Sequence, residues 1–203
     1  MIDLTISIVS YNTKDLLKRC LESIYKYTLG IKFEVIVIDN ASIDGSSQMV
    51  RRFFPRVKLI ANKHNRFYTG AHNQALKLAR GHCFLILNSD IFLTTNAFKK
   101  MANYLHHHPD VGAIEPLQIY EHGQIAPTGS RHNQALLDFF ELTWIGRQLA
   151  NHKLLRQFRL HRYDRRKTWP AEVICDAALM TRTQTLRQLG GYDQKLKLYY
   201  TEN

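Results

Sequence analysis

Four short apolar runs, at 5–10, 34–38, 57–61 and 83–87, alternate with amphipathic segments through the first half of the chain. Each run is strand-length and rich in Ile, Val, Leu or Phe. Between them, Leu16, Leu17, Cys20, Leu21, Ile24 and Tyr25 recur at helical spacing. Gly45-Ser46-Ser47 leads into a second helix carrying Met49, Val50 and Phe53, which Pro55 stops. A third helix carries Ala75, Leu76, Leu78 and Ala79, with Gly81 read as its C-terminal cap. Strands that alternate with helices at this spacing form βαβ units, so the chain is expected to build an α/β fold around a mainly parallel sheet.

After Asp90 the pattern loosens. A helix over 96–107 is expected, then a strand over 111–120 with a hairpin turn at Glu121-His122-Gly123, an apolar strand over 172–180 and a short helix ended by Gly190-Gly191. Residues 139–167 combine Phe139, Phe140 and Trp144 with Arg147, Lys153, Arg156, Arg159, Arg162, Arg165, Arg166 and Lys167. Such a stretch suits a basic amphipathic surface on anionic lipid, or packing into a core or dimer seam. Packing is slightly favoured, and a homo-oligomer stays open. The chain is expected to be one domain in two halves, 1–92 and 93–203, with no closing helix after Glu202.

Length and composition, 203 residues with 45% hydrophobic content, allow one good core. No apolar stretch is long enough to cross a bilayer, and Met1-Ile2-Asp3-Leu4 begins a strand rather than a leader, which argues against secretion. Cys20, Cys83 and Cys175 are odd in number and widely separated, as expected of reduced core thiols in a cytoplasmic protein. The net charge of +11 favours polyanionic partners without choosing among them. His106-His107-His108 reads as a solvated helix end, since three consecutive imidazoles on a helix point in different directions.

Polar clusters close three of the apolar runs: Ser10-Tyr11-Asn12, Asp39-Asn40-Ala41-Ser42 and Asn88-Ser89-Asp90. Strand ends in a parallel sheet lie on one rim, where loops carry polar groups that a buried strand cannot tolerate, so these clusters are expected to line a nucleotide pocket. Taken alone, Asn88 and Asp90 read more readily as capping a turn or starting the next helix, while Asp90 also suits a hard divalent cation already partly ligated by phosphate oxygens. Taken alone, Asp39 serves equally well as an Asx turn or as an acceptor for a pyrimidine or ribose. No G-x-G-x-x-G follows the first strand and no G-x-x-x-x-G-K-[ST] occurs anywhere, which demotes a dinucleotide dehydrogenase or a P-loop phosphotransferase. Phosphates must then be neutralised by a metal or by basic groups such as Arg66.

Four blocks, at 7–12, 34–46, 65–73 and 85–90, together resemble the successive motifs of family 2 glycosyltransferases, most nearly the rhamnosyltransferase-like branch. The resemblance implies a GT-A fold, with a Rossmann-like mainly parallel sheet, that moves a sugar from a nucleotide-diphosphate sugar to a glycan or lipid-linked acceptor in surface polysaccharide synthesis, with inversion at the anomeric carbon. It places Val9, Tyr11, Asn12 and Asp39 at the nucleotide. Asn65, Arg66 and Asn73 fall in the block that approaches the donor, with Phe67 where the family usually has a small residue. Asn88, Ser89 and Asp90 form the D-x-D-like element, Asp90 and Asn88 being the contacts to Mg²⁺ or Mn²⁺. Glu202 is the candidate base. Asp176, where relatives commonly have a small residue, is expected either to bind acceptor hydroxyls or, equally, to be a hydrogen-bonded structural Asp beneath the Gly190-Gly191 turn. A catalytically weak nucleotide-sugar-binding or assembly subunit is the alternative. Nucleic acid is not an expected partner, since it would leave the strand-end clusters unexplained. The protein is expected in the cytoplasm, with peripheral contact at an anionic membrane.

Overall fold

The structure, a computed structural model, describes residues 1–126, 128, 167–171, 174–193 and 195. The chain divides into two units, Met1–Pro116 with Asp176–Asn203, and Leu117–Cys175. In the first unit the order is β1 (Ile2–Ser10), α1 (Lys14–Tyr27), β2 (Phe33–Asp39), α2 (Ser46–Phe53), β3 (Lys58–Ala61), α3 (Phe67–Leu78), β4 (Gly81–Asn88), α4 (Ala97–His107), β5 (Ala113–Ile114), β6 (Ala178–Arg182) and α5 (Thr183–Gln188). The strands form a sheet of order β3-β2-β1-β4-β6-β5. β1 runs parallel to β2 and β4, and β2 parallel to β3, whereas β6 is antiparallel to both β4 and β5.

Both faces of the sheet are covered, which is why its strands read as continuous apolar runs. One face packs Leu4, Ile6, Ile8, Val35, Val37, Leu85 and Leu87 against Leu17, Leu21 and Ile24 of α1, Met49 and Val50 of α2, and Phe98 and Leu105 of α4. The other packs Ile36, Ile38, Phe84 and Ile86 against Ala71, Ala75 and Leu76 of α3. In β1 the second face carries Thr5 and Ser7, both buried, and each has a side-chain partner: Glu34 for Thr5 and His72 for Ser7.

The four strands and three helices expected before Asp90 are present. Gly81 is not a helix cap. It opens β4, and a Cβ built there would lie 2.3 Å from the Thr5 nitrogen and 2.6 Å from the Leu4 carbonyl carbon, so glycine is required by the close approach of β4 to β1. The strand expected over 111–120 contracts to Ala113–Ile114 in β5. In the second unit an isolated bridge pairs Ile119 with Ile125 around the expected turn, where Gly123 has φ 78°. The strand expected from 172 starts at Ala178, because the turn before it gives the Asp176 and Ala177 carbonyls to Tyr68 and to the end of β4.

β6 and α5 also finish two helices on opposite faces of the sheet. Arg182 donates from Nη1 to the Val111 carbonyl (2.7 Å) and from Nη2 to the carbonyls of Leu105 (2.6 Å) and His108 (2.8 Å), capping α4. Arg187 Nη2 donates to the carbonyls of Leu76 (3.2 Å) and Ala79 (2.7 Å), capping α3. A cation over the last carbonyls of a helix satisfies orphan acceptors and opposes the negative end of the macrodipole.

At the amino end of the sheet, Glu34 accepts hydrogen bonds from Thr5 Oγ1 (2.7 Å), Arg80 N (2.7 Å), Arg80 Nε (2.9 Å) and Arg80 Nη2 (2.8 Å). Burial raises its carboxyl, but these bonds and the guanidinium charge outweigh it and hold the group below its ordinary value of 4.5. A folded-state value below the unfolded one means that the Glu34 contribution is complete above about pH 4.5 and is lost as pH falls through the folded value. Glu34→Gln is therefore expected to cost about 2 kcal/mol at neutral pH and to flatten the acid limb of stability. Urea titrations across a pH series check this, and equal acid sensitivity in parent and variant would exclude Glu34 as the source.

Among the described residues, Cys20 and Cys83 are buried thiols and Cys175 is half-buried. No helix among the described residues is long and apolar enough to cross a membrane. His107 and His108 bond back to the carbonyls of Asn103 and Tyr104 at the end of α4, and no group of three or more His, Cys, Asp or Glu among the described residues could hold a metal ion.

Candidate donor site

The register brings the carboxyl ends of the parallel strands to one edge: Ser10 pairs with Asp39, Val9 with Asn88, and Asp39 with Ala61. The loops leaving β1 and β2 brace each other there. Asn12, at φ 55°, donates its N–H to Ser42 Oγ (2.9 Å) and accepts at Oδ1 from the Ile43 N–H (2.9 Å). Lys14 N donates to Asp44 Oδ2 (2.8 Å), and Asp44 Oδ1 also takes the N–H and hydroxyl of Ser46. Burial raises the Asp44 carboxyl, yet the bonds from Ser46 and Lys14 carry it below its usual range. Tyr11 stands on this braced loop with half its surface in solvent, a ring on which a base can stack, while Val9 is half-buried on the α3 face.

Asp39 is 2% exposed. Its Oδ1 accepts from Ser42 N (3.0 Å) and its Oδ2 from the Ser47 hydroxyl, so the carboxylate ties the end of β2 to the first turn of α2. The adjacent Asn40, equally buried, accepts at Oδ1 from Asn62 Nδ2 (3.0 Å) and Arg66 N (3.3 Å), and donates to the Phe67 carbonyl (3.2 Å). Asn62 and Gln74 exchange a reciprocal amide pair at 2.9 and 3.0 Å. This network fixes the loop that presents the exposed Asn65 and Arg66, and sequence reasoning missed it. The available signal was an amide directly after each of two strands, at Asn40 and Asn62. Phe67 adopts φ 58°, a left-handed conformation costly for a bulky residue, with Asn65 Oδ1 accepting from its N–H (2.7 Å).

Asn73 is turned elsewhere. Its Nδ2 donates to the Tyr192 carbonyl (2.8 Å) and its Oδ1 accepts from the Tyr192 N–H (2.9 Å), clamping the turn after α5. Gly191, at φ 78°, lies so near that a Cβ there would come within 2.4 Å of Asn73 Oδ1.

At the end of β4, Asn88 donates its N–H to the Ala177 carbonyl (2.9 Å) and its own carbonyl accepts from the Ile91 N–H (3.3 Å), Ser89 is buried, and Asp90 is exposed. Burial pushes the Cys20 thiol up and the nearby Asp90 charge adds to the shift. Asp176, held next to Asn88 through Ala177, is a half-buried carboxyl that burial pushes up. The rim thus unites Tyr11, Asn12, Asp39, Asn65, Arg66, Asn88, Ser89, Asp90 and Asp176 around the strand ends. Glu202 and residues 139–166 lie outside the described residues. Among the described residues no group of three or more potential ligands surrounds the exposed Asp90 carboxylate, which suits a cation that takes its other ligands from water and a diphosphate.

This arrangement, a mainly parallel sheet with helices on both faces and polar loops at the carboxyl strand ends, is the GT-A fold. A mannosyltransferase from Pyrobaculum calidifontis, PcManGT, solved with GDP-Man and Mn²⁺, superposes with a TM-score of 0.61 at 21% identity over 94% of this chain and 47% of its own. TarS of S. aureus, solved with UDP, gives a TM-score of 0.62 at 18% identity over 97% of this chain and 52% of its own. The chain belongs to glycosyl transferase family 2, whose model matches residues 5–188. Succinoglycan biosynthesis protein ExoO of Rhizobium meliloti (strain 1021) is 34% identical over 100 residues, which is 49% of this chain and 28% of that protein. The chain spans well under half the length of the curated relatives it matches. These relatives do not single out the rhamnosyltransferase-like branch.

Proposed function

We propose that this chain is the donor-binding domain of an inverting glycosyltransferase that moves a sugar from a nucleotide-diphosphate sugar to a glycan or lipid-linked acceptor in surface polysaccharide synthesis. The observation that carries this reading is the exposed Asp90 carboxylate at the end of β4, on the rim that also bears the braced Tyr11 and Asp39 loops. Tyr11 stacks on the base, Asp39 shapes the loop that receives the nucleoside, and Arg66 offers a cation to the diphosphate. Asp90, with Asn88, would hold Mg²⁺ or Mn²⁺, which would supply positive charge to a diphosphate leaving group. Asp176 receives acceptor hydroxyls, and Glu202 takes the acceptor proton in a single displacement that needs no protein nucleophile. Named relatives support the substrate class: one transfers glucose from UDP-Glc to a GlcNAc-diphosphoundecaprenol. The buried Cys20 and Cys83 thiols suit a reducing, cytoplasmic setting.

A thermal-shift panel of UDP, GDP and dTDP, each with and without Mn²⁺ or Mg²⁺, tests the reading. One nucleotide is expected to stabilise the protein in a metal-dependent way, by about 2.7 kcal/mol at a hundredfold excess over its dissociation constant. No shift with any nucleotide and either metal would sink the proposal.

A further inference from the structure

Beneath the rim, on the α3 face of the sheet, the half-buried Tyr68 and Tyr192 pack around a buried histidine, His72, and none of the three has a place in the reaction just described. His72 is 1% exposed, its Nδ1 hydrogen-bonded to Ser7 Oγ at 2.8 Å, while its Nε2 is buried without a partner among the described residues. Burial pushes its imidazole down to about 3, so it stays neutral at any working pH. The Tyr68 ring meets His72 edge-on, with centroids 4.4 Å apart, and lies 6.0 Å from Tyr192 in the same manner. Tyr192 is in turn clamped at both backbone groups by Asn73. Tyr68, on the first turn of α3, thus packs against both His72 and the turn after α5, contacts that restrict its ring.

So held, the Tyr68 hydroxyl donates to the Asp176 carbonyl at 3.0 Å. The next carbonyl, of Ala177, accepts from the Asn88 N–H at 2.9 Å. Two successive carbonyls of one turn are therefore fixed from two sides, one by a half-buried aromatic cluster and one by the end of β4. We infer that Tyr68 is a positioning residue: its hydroxyl holds the Asp176–Ala177 turn against the end of β4, so that the Asp176 carboxyl is presented to sugar hydroxyls beside the diphosphate site. The inference rests on the donor-site reading above and adds the device that sets sugar recognition. Burial raises the Asp176 carboxyl and the Tyr68 hydroxyl opposes that rise; the groups facing Asp176 in this cluster are Tyr68 and Tyr192, with neutral His72 behind them.

Carboxyl-carbon NMR of the full chain tests this, with the Asp176 resonance assigned by its loss in Asp176→Asn. In Tyr68→Phe, the Asp176 titration is expected to move to higher pH, because the opposing hydroxyl is gone while burial remains. With UDP and Mg²⁺ bound, glucose, mannose or N-acetylglucosamine is expected to perturb the Asp176 resonance in the parent, and at least tenfold more weakly in Tyr68→Phe. UDP affinity is expected within twofold of the parent. An unchanged titration and unchanged sugar response in Tyr68→Phe overturn the inference, as does a loss of UDP affinity equal to the loss of sugar response, which marks a purely structural role. Failure of the parent to bind UDP, GDP or dTDP instead overturns the donor-site reading beneath it.

Discussion

Asp90→Ala is expected to remove the metal-dependent part of nucleoside-diphosphate binding and to lower sugar transfer by roughly a thousandfold, while leaving the melting temperature of the unliganded protein nearly unchanged. The large effect on chemistry follows from the proposed arrangement, in which this one carboxylate is the principal protein contact to the ion. Loss of a Lewis acid at a departing diphosphate removes several kcal/mol of transition-state stabilisation, at about 1.4 kcal/mol per tenfold in rate. The small effect on stability follows from exposure: Asp90 lies in solvent just after the buried run of β4, so its removal opens no cavity. Calorimetric titration of UDP or GDP with and without Mn²⁺ reads the first effect and a melting curve the second. Equal metal dependence in parent and variant would move the ion away from Asp90.

Gly81→Ala is expected to be the most damaging small substitution, costing about 3 kcal/mol or more. The added Cβ would meet backbone rather than side chain: the Thr5 nitrogen at 2.3 Å, the Leu4 carbonyl carbon at 2.6 Å and the Cys83 oxygen at 2.9 Å. Relief requires β4 to separate from β1, and these are the two central strands of the sheet. It also disturbs the bonds that Gly81 makes to Thr5 Oγ1 (2.9 Å) and accepts from Thr183 Oγ1 (2.6 Å). For a chain of this length the loss corresponds to roughly 6–12 °C in Tm. Urea unfolding measures it directly, with an unchanged slope expected if the native and unfolded states keep their extents. A loss below about 1 kcal/mol would show that the strands yield more easily than backbone packing allows.

Gly81 and Asp39 mark where sequence reasoning stops. Gly81 follows a helix and so reads as its cap, because sequence shows which residue comes next and not which strand lies across from it. Asp39 reads equally as an Asx turn or a ligand acceptor, and the structure shows the turn: its carboxylate is occupied by Ser42 and Ser47. Asn73 sits in the block that resembles a donor motif, yet its amide holds Tyr192, 119 residues away in the chain. The late strand is displaced for the same reason, since its first turn is shaped by Tyr68 and Asn88 rather than by its own apolar content. Partners distant in sequence leave no local periodicity.

The sequence by itself determined the class of fold, the order of its first four strands and the clustering of Tyr11, Asp39 and Asp90 at strand ends, because burial on both sheet faces forces continuous apolar runs and leaves polar residues only where they stop. Tertiary structure alone decided which of those polar groups fasten the loops and which stay open to solvent. Hydrogen bonds such as those from Asn40 to Asn62, from Asn73 to Tyr192 and from Tyr68 to Asp176 form only after the sheet has brought their elements together.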